Sequence, residues 1–135
     1  VVLVDTSVWV DFFNGVVTRE VETLDRLIGT GEILIGDLIL AEILQGFVRD
    51  VDYRRARAVL ADLPYADLGG REVAIAAADH YRSLRAKGVT VRKTVDMIIG
   101  TYCLLGGHVL LHSDRDFDVM ETHLGMRVLR ESRSD

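Results

Sequence analysis

The stretch Val1-Val2-Leu3-Val4-Asp5-Thr6-Ser7 decides the fold. Its first four residues are apolar without alternation, the pattern of a strand buried on both faces at the centre of a parallel sheet. The run stops at one carboxylate and two hydroxyls. Val8-Trp9-Val10-Asp11-Phe12-Phe13 then reads as a helix closed by Asn14-Gly15. In open α/β sheets the ligand crevice lies beyond the carboxyl ends of the strands, so Asp5 sits where chemistry is usually done.

Outward from that strand, helices and strands alternate. Thr18 is placed to cap a helix whose apolar positions are Val21, Leu24, Leu27 and Ile28. Residues 32–35 form a short apolar strand closed by Gly36. Asp37 is expected to cap a helix over 38–47, and Asp52 another that ends before Pro64. Residues 65–68 read as a short strand. Gly69-Gly70 opens an alanine-rich helix running to Lys87 and ended by Gly88. Thr94 is expected to cap a helix over 95–105, closed by Gly106-Gly107. His108-Val109-Leu110-Leu111-His112 is a second strongly apolar strand, followed by a short helix to about His123. Residues 126–129 read as the last strand, and Glu131 to Asp135 as a frayed end. This order predicts one α/β domain over 1–135, with a short, mostly parallel central sheet flanked by helices.

The totals fit a single core: 135 residues, 49% hydrophobic and 27% charged. No apolar run approaches the ~20 residues that cross a bilayer. No basic leader precedes the first strand, so a cytoplasmic protein is expected. One cysteine, Cys103, excludes an internal disulfide and a cysteine-based zinc cluster. A net charge of −5 is the wrong sign for binding nucleic acid by bulk charge. Its distribution is uneven, however. Residues 80–93 gather Arg82, Arg85, Lys87, Arg92 and Lys93 with no acid among them, and Arg54, Arg55 and Arg57 form a second basic group. Taken alone, each group reads as a solvated helix face.

The acidic residues are more telling. Asp5 ends the first strand. Glu42 has Leu38, Ile39 and Ile43 as helical neighbours, so it lies in or beside an apolar stripe, where an ionised carboxylate is costly unless something positive meets it. Asp96 falls in the first turn of its helix, with Gly100 four residues on leaving room above it. Asp114, with Asp116 close behind, follows the second apolar strand. Each has a local explanation: a helix cap, an arginine partner, or the helix dipole. Together they would repel one another in a dry crevice unless a cation relieved the repulsion. Oxygen-only ligands suit Mg²⁺ or Mn²⁺, and none of the four histidines has zinc-ligand spacing. The matching substrate class is a phosphate ester.

Four blocks carry a resemblance: Val4-Asp5-Thr6-Ser7-Val8-Trp9-Val10, Leu40-Ala41-Glu42-Ile43-Leu44-Gln45-Gly46, Val95-Asp96-Met97-Ile98-Ile99-Gly100, and Leu111-His112-Ser113-Asp114-Arg115-Asp116-Phe117. In order and spacing they resemble a PIN domain, more narrowly the VapC toxins of type II toxin–antitoxin pairs. The resemblance implies a Mg²⁺-dependent endoribonuclease, with Mn²⁺ able to substitute, that cuts transfer RNA or other structured RNA. It implies Asp5 and Asp96 as principal metal ligands. Glu42 and Asp114 complete the quartet, Asp116 contributes further, and Thr6 and Ser113 line the site. Of the last two acids, Asp114 is the first choice to face the metal, being nearer the strand end. The resemblance also implies a homodimer and a VapB-type antitoxin that inserts a basic side chain among the carboxylates. Arg82, Arg85, Lys87, Arg92 and Lys93 become candidates for RNA contact.

Three other readings compete. A haloacid-dehalogenase-type phosphotransferase needs a second Asp where this chain has Ser7. A receiver domain needs a lysine after a late strand, where this chain has Arg115. A PIN fold that binds RNA or an antitoxin without cutting would have no reason to keep so many costly carboxylates.

Overall fold

β1 (Val2–Val4) is the second strand from one edge of a four-stranded sheet ordered β3-β2-β1-β4, and every pairing is parallel. The computed structural model describes residues 1–130. Leu3 and Val4 are fully buried, as an unbroken apolar run between two covered sheet faces requires. β1 pairs on one side with β2 (Ile33–Gly36), through Val2 to Ile33, and on the other with β4 (Val109–Leu111), through Val4 to Leu111. β3 is only Tyr65–Ala66 and forms the far edge on β2.

Helices fill the connections, as parallel strands demand. They are α1 (Thr6–Phe13), α2 (Arg19–Leu27), α3 (Asp37–Gln45), α4 (Asp50–Ala61), α5 (Arg71–Ala86), α6 (Thr94–Gly106) and α7 (Asp118–Leu124). A 3-10 turn, Arg115–Phe117, precedes α7. Trp9, Leu24, Leu60, Leu68, Ile99, Leu110 and Phe117 fill the core. Within α1 Trp9 meets Phe12 edge-on and stacks on Phe13, and Phe13 meets Phe47 edge-on, which ties α1 to the end of α3.

Several helix starts differ from the sequence reading. Thr18 does cap α2, accepting the Val21 N–H at 3.0 Å. The other three expected caps lie inside their helices. Asp37 is the first residue of α3, and Gly36 holds the cap position. Its carboxylate is drawn away to the Leu68 N–H, at 2.8 Å, which ties α3 to the loop after β3. Asp52 lies in the first turn of α4, behind Arg49 at the cap, and Thr94 opens α6 behind Lys93. The expected last strand over 126–129 reduces to a single parallel bridge, Leu110 to Val128. Leu110 N–H donates to Arg127 O and Leu129 N–H returns to Leu110 O. Pairing stops there because β4 ends at Leu111 and the chain turns into the acidic loop. The stretch Glu131 to Asp135, expected to fray, lies outside the described residues.

Candidate metal centre

The carboxyl ends of β1 and β4 lie side by side, and the Asp5 N–H donates to Leu111 O at 2.9 Å across them. From that junction the Asp5 side chain turns back to cap α1. Its Oδ2 accepts the Ser7 N–H at 3.0 Å and the Ser7 hydroxyl at 2.7 Å. The local reading of Asp5 as a cap and the functional reading are both satisfied by one geometry. Ser7 does a second job: its oxygen accepts the Ser113 N–H at 3.1 Å, joining the β1 terminus to the loop after β4. Sequence reasoning singled out Thr6 and Ser113 but passed over Ser7. The signal was present, since Asp-x-Ser at a helix start is the pattern of a side chain bonding two residues on.

Glu42 comes to the same rim from α3. The Thr6 hydroxyl donates to its Oε1 at 2.8 Å, so its partner is a hydroxyl rather than the arginine that sequence offered as the alternative. Asp96, in the first turn of α6, is buried, and its Oδ2 has no hydrogen-bond partner among the described residues. Asp114 Oδ1 accepts the Asp116 N–H at 2.9 Å and caps the 3-10 turn. Asp116 Oδ2 is also buried without a hydrogen bond, although Arg92 Nε lies 3.5 Å away. Asp96, Asp114 and Asp116 each bring one carboxylate oxygen within 4.8 Å of the others. Asp5 and Glu42 stand outside that trio but act electrostatically on Asp96.

Burial, then Asp5 and Asp114, then Glu42 more weakly, push the Asp96 carboxyl up to about 7, against a smaller opposing pull from Lys93. Burial also raises Asp5, outweighing its Ser7 bonds, and Glu42 adds to the rise. Burial lowers His112, just beyond β4, and so disfavours its charged form. Residues 5, 42 and 114 therefore all act on Asp96, while the close trio takes in Asp116 and leaves out Asp5 and Glu42. The space expected above Asp96 is a different matter. A Cβ at Gly100 would lie 2.2 Å from Met120 Sδ, so the glycine admits a core methionine rather than a ligand.

The donor set fits a hard divalent cation. It is all oxygen, two of its buried oxygens lack hydrogen bonds, and Arg92 and Lys93 offset its mutual repulsion only in part. The basic residues divide. Arg92 reaches Asp116, and Lys93 acts on Asp96. Arg82 lines an apolar groove between α5 and α6, Arg85 lies over the Tyr81 ring, and Lys87 ends α5. On the other side of Glu42 a second groove opens between α1, α3 and α4. A cavity of about 110 Å³ lined by Val10, Phe13, Glu42, Ile43 and Phe47 adjoins one of about 450 Å³ reaching Val48, Arg49 and Arg55.

A parallel sheet with an acidic trio beyond its carboxyl edge, two more carboxylates behind it and all-helical crossovers matches one family throughout. The PIN-domain profile covers residues 2–122, and the chain belongs to the PIN-domain family. Within that family it stands with the VapC proteins. Ribonuclease VapC11 of Mycobacterium tuberculosis is 31% identical over 121 residues, which span 88% of this chain and 90% of the relative. A VapC ribonuclease of Mycobacterium bovis matches equally well. Among solved structures, VapBC2 of Rickettsia felis, bound to a DNA fragment from its promoter, superposes with a TM-score of 0.73 at 16% identity over 95% of this chain and 96% of the other. VapC20 of Mycobacterium tuberculosis, a toxin that cleaves the sarcin–ricin loop, superposes with a TM-score of 0.63 at 19% identity over 88% and 94%. At these identities the structural matches establish the fold.

Proposed function

We propose that this chain is a metal-dependent endoribonuclease, the toxin of a type II pair, which hydrolyses phosphodiester bonds in transfer RNA or another structured RNA. The observation that carries the proposal is the convergence of Asp96, Asp114 and Asp116 within 4.8 Å of one another at the edge where Asp5 ends β1. Asp96, Asp114 and Asp116 hold the ion, with Asp5 and Glu42 completing its charge balance. The ion is Mg²⁺, and Mn²⁺ substitutes for it. When bound, the metal supplies an activated water and neutralises charge on the scissile phosphate. Ser7 and Thr6 hold Asp5 and Glu42 in place. Arg92 and Lys93, at the mouth of the site, contact RNA phosphates, and the exposed Arg82, Arg85 and Lys87 extend that contact.

A VapB-type antitoxin is the proposed inhibitor. The groove from Arg49 and Val48 past Phe47 and Phe13 ends at Glu42, so an apolar segment laid along it can deliver a cationic side chain to the carboxylates. We also propose that the chain forms a homodimer. No helix among the described residues is long and apolar enough to cross a membrane. We place the protein in the cytoplasm, where its substrate is.

The test is incubation with total transfer and ribosomal RNA in Mg²⁺, Mn²⁺ or chelator, beside Asp96→Asn. Cleavage that needs both the ion and the carboxylate supports the nuclease. Tight RNA binding with no cleavage in either metal leaves a binding module in its place.

A further inference from the structure

We infer that His112 is a positioning residue of the metal centre: its Nδ1 holds the Asp114 backbone N–H and thereby sets the Asp114 carboxylate beside Asp96 and Asp116. The inference rests on the metal-centre reading above. His112 is the first residue beyond β4, and its side chain is 6% exposed. Nδ1 accepts the Asp114 N–H at 3.2 Å. Asp114 Oδ1 in turn accepts the Asp116 N–H at 2.9 Å. Two bonds, each spanning two residues, thus climb from 112 to 116 and carry both loop carboxylates.

The tautomer follows from the geometry. Accepting at Nδ1 puts the ring proton on Nε2. Nε2 is buried and has no hydrogen-bond partner among the described residues, and Asp118 Oδ1 is 4.0 Å off. The opposite requirement is apolar: the ring packs against Phe117 with centroids 5.1 Å apart. A residue wanted only to fill this space would be leucine or phenylalanine, which bury no unpaired N–H. An aspartate could make the same bond to the N–H two residues on, but it would add another negative charge to a site already crowded with them. A neutral imidazole supplies an acceptor, fills the apolar space and brings no charge.

The experiment measures Mn²⁺ binding to the full chain by electron paramagnetic resonance, with metal-free melting curves to show that each variant folds. His112→Asn places an oxygen near the Nδ1 position and should keep affinity within about threefold of the parent. His112→Gln reaches only toward the Nε2 position, and His112→Leu fills space without accepting. Both should weaken binding about tenfold or more. Should the leucine variant fail to fold, the contrast between Asn and Gln decides. Parent-like affinity in the Gln or Leu variant, or equal losses in Asn and Gln, overturns the role of His112 and leaves the metal centre intact. A parent protein that binds no Mn²⁺, indistinguishable from Asp96→Asn, overturns both.

Discussion

The Ser7 hydroxyl donates to Asp5 Oδ2 at 2.7 Å and its oxygen accepts the Ser113 N–H at 3.1 Å, so one side chain fastens the acid after β1 to the loop that carries Asp114. Ser7→Ala should cost about 1 kcal/mol of stability for the lost bonds. Through misplacement of Asp5 it should also lower RNA cleavage about 10- to 100-fold, as supporting residues of metal sites do. Ser7→Thr keeps the hydroxyl and should recover most of the activity. Cleavage assays beside denaturant unfolding separate the two effects, and an alanine variant with full activity would remove Ser7 from the site.

Asp96→Asn should abolish cleavage more completely, by at least about 100-fold, because a group touching the ion matters more than one supporting it. In chelator the same variant should be more stable than the parent at neutral pH. The sign follows from the raised carboxyl. A group held at about 7 in the folded chain, against ~3.9 unfolded, favours the fold below the lower value and loses that contribution as pH rises through the higher. Asp5 is shifted in the same direction. The melting temperature of Asp96→Asn relative to the parent should therefore climb between pH 5 and 8. A difference independent of pH would contradict the raised carboxyl.

Divalent metal should reverse that trend. The ion must displace the proton from Asp96, so Mn²⁺ affinity should rise with pH across the range near 7. Saturating Mn²⁺ at pH 8 should then lift the parent's melting temperature and leave Asp96→Asn nearly unmoved. Calorimetric titration at pH 6 and 8 checks the first point and thermal melts the second.

Arg92 is 79% exposed along its side chain and 3.5 Å from Asp116, so the pair adds under about 1 kcal/mol to stability. Reversing Arg92 and Lys93 to glutamate should raise KM for RNA and cut cleavage more than reversing Arg82, Arg85 and Lys87 together. The first pair borders the carboxylates, whereas the second set is spread along α5 and its end. Equal losses from the two sets would return all five residues to a single contact surface.

Gly36→Ala tests the fold apart from the chemistry. A Cβ there would lie 2.3 Å from Leu68 Cγ in the core, and Leu68 is fully buried. Overpacking of this kind costs about 1–3 kcal/mol. Unfolding curves should show that loss while the folded fraction keeps its cleavage rate.

What was legible in the sequence follows the range of the interactions. The apolar runs of β1 and β4 and the helical periods around them need only neighbouring residues, and they gave the parallel α/β order directly. Asp5, Glu42, Asp96 and Asp114 could be singled out because each ends, joins or follows an apolar run, and the four-block resemblance is what grouped them. Contacts between a side chain and distant backbone were not legible. Asp37 looks like a cap until the Leu68 amide, 31 residues away, claims it. Ser7 looks like a linker until Ser113 arrives 106 residues later. Gly100 suggested room above Asp96, but only packing shows that Met120 takes that room. The segment over 126–129 has strand composition, yet β4 offers it one residue to pair with.

The strand order carries a consequence for synthesis on the ribosome. β1 pairs on one flank with a strand more than a hundred residues downstream, and that strand leads into Asp114 and Asp116. A nascent chain short of that point holds Asp5, Glu42 and Asp96 with nothing to close them into a cutting edge. Synthesis of β4 and the loop after it thus completes the acidic edge, and a chain interrupted before them lacks two of its carboxylates.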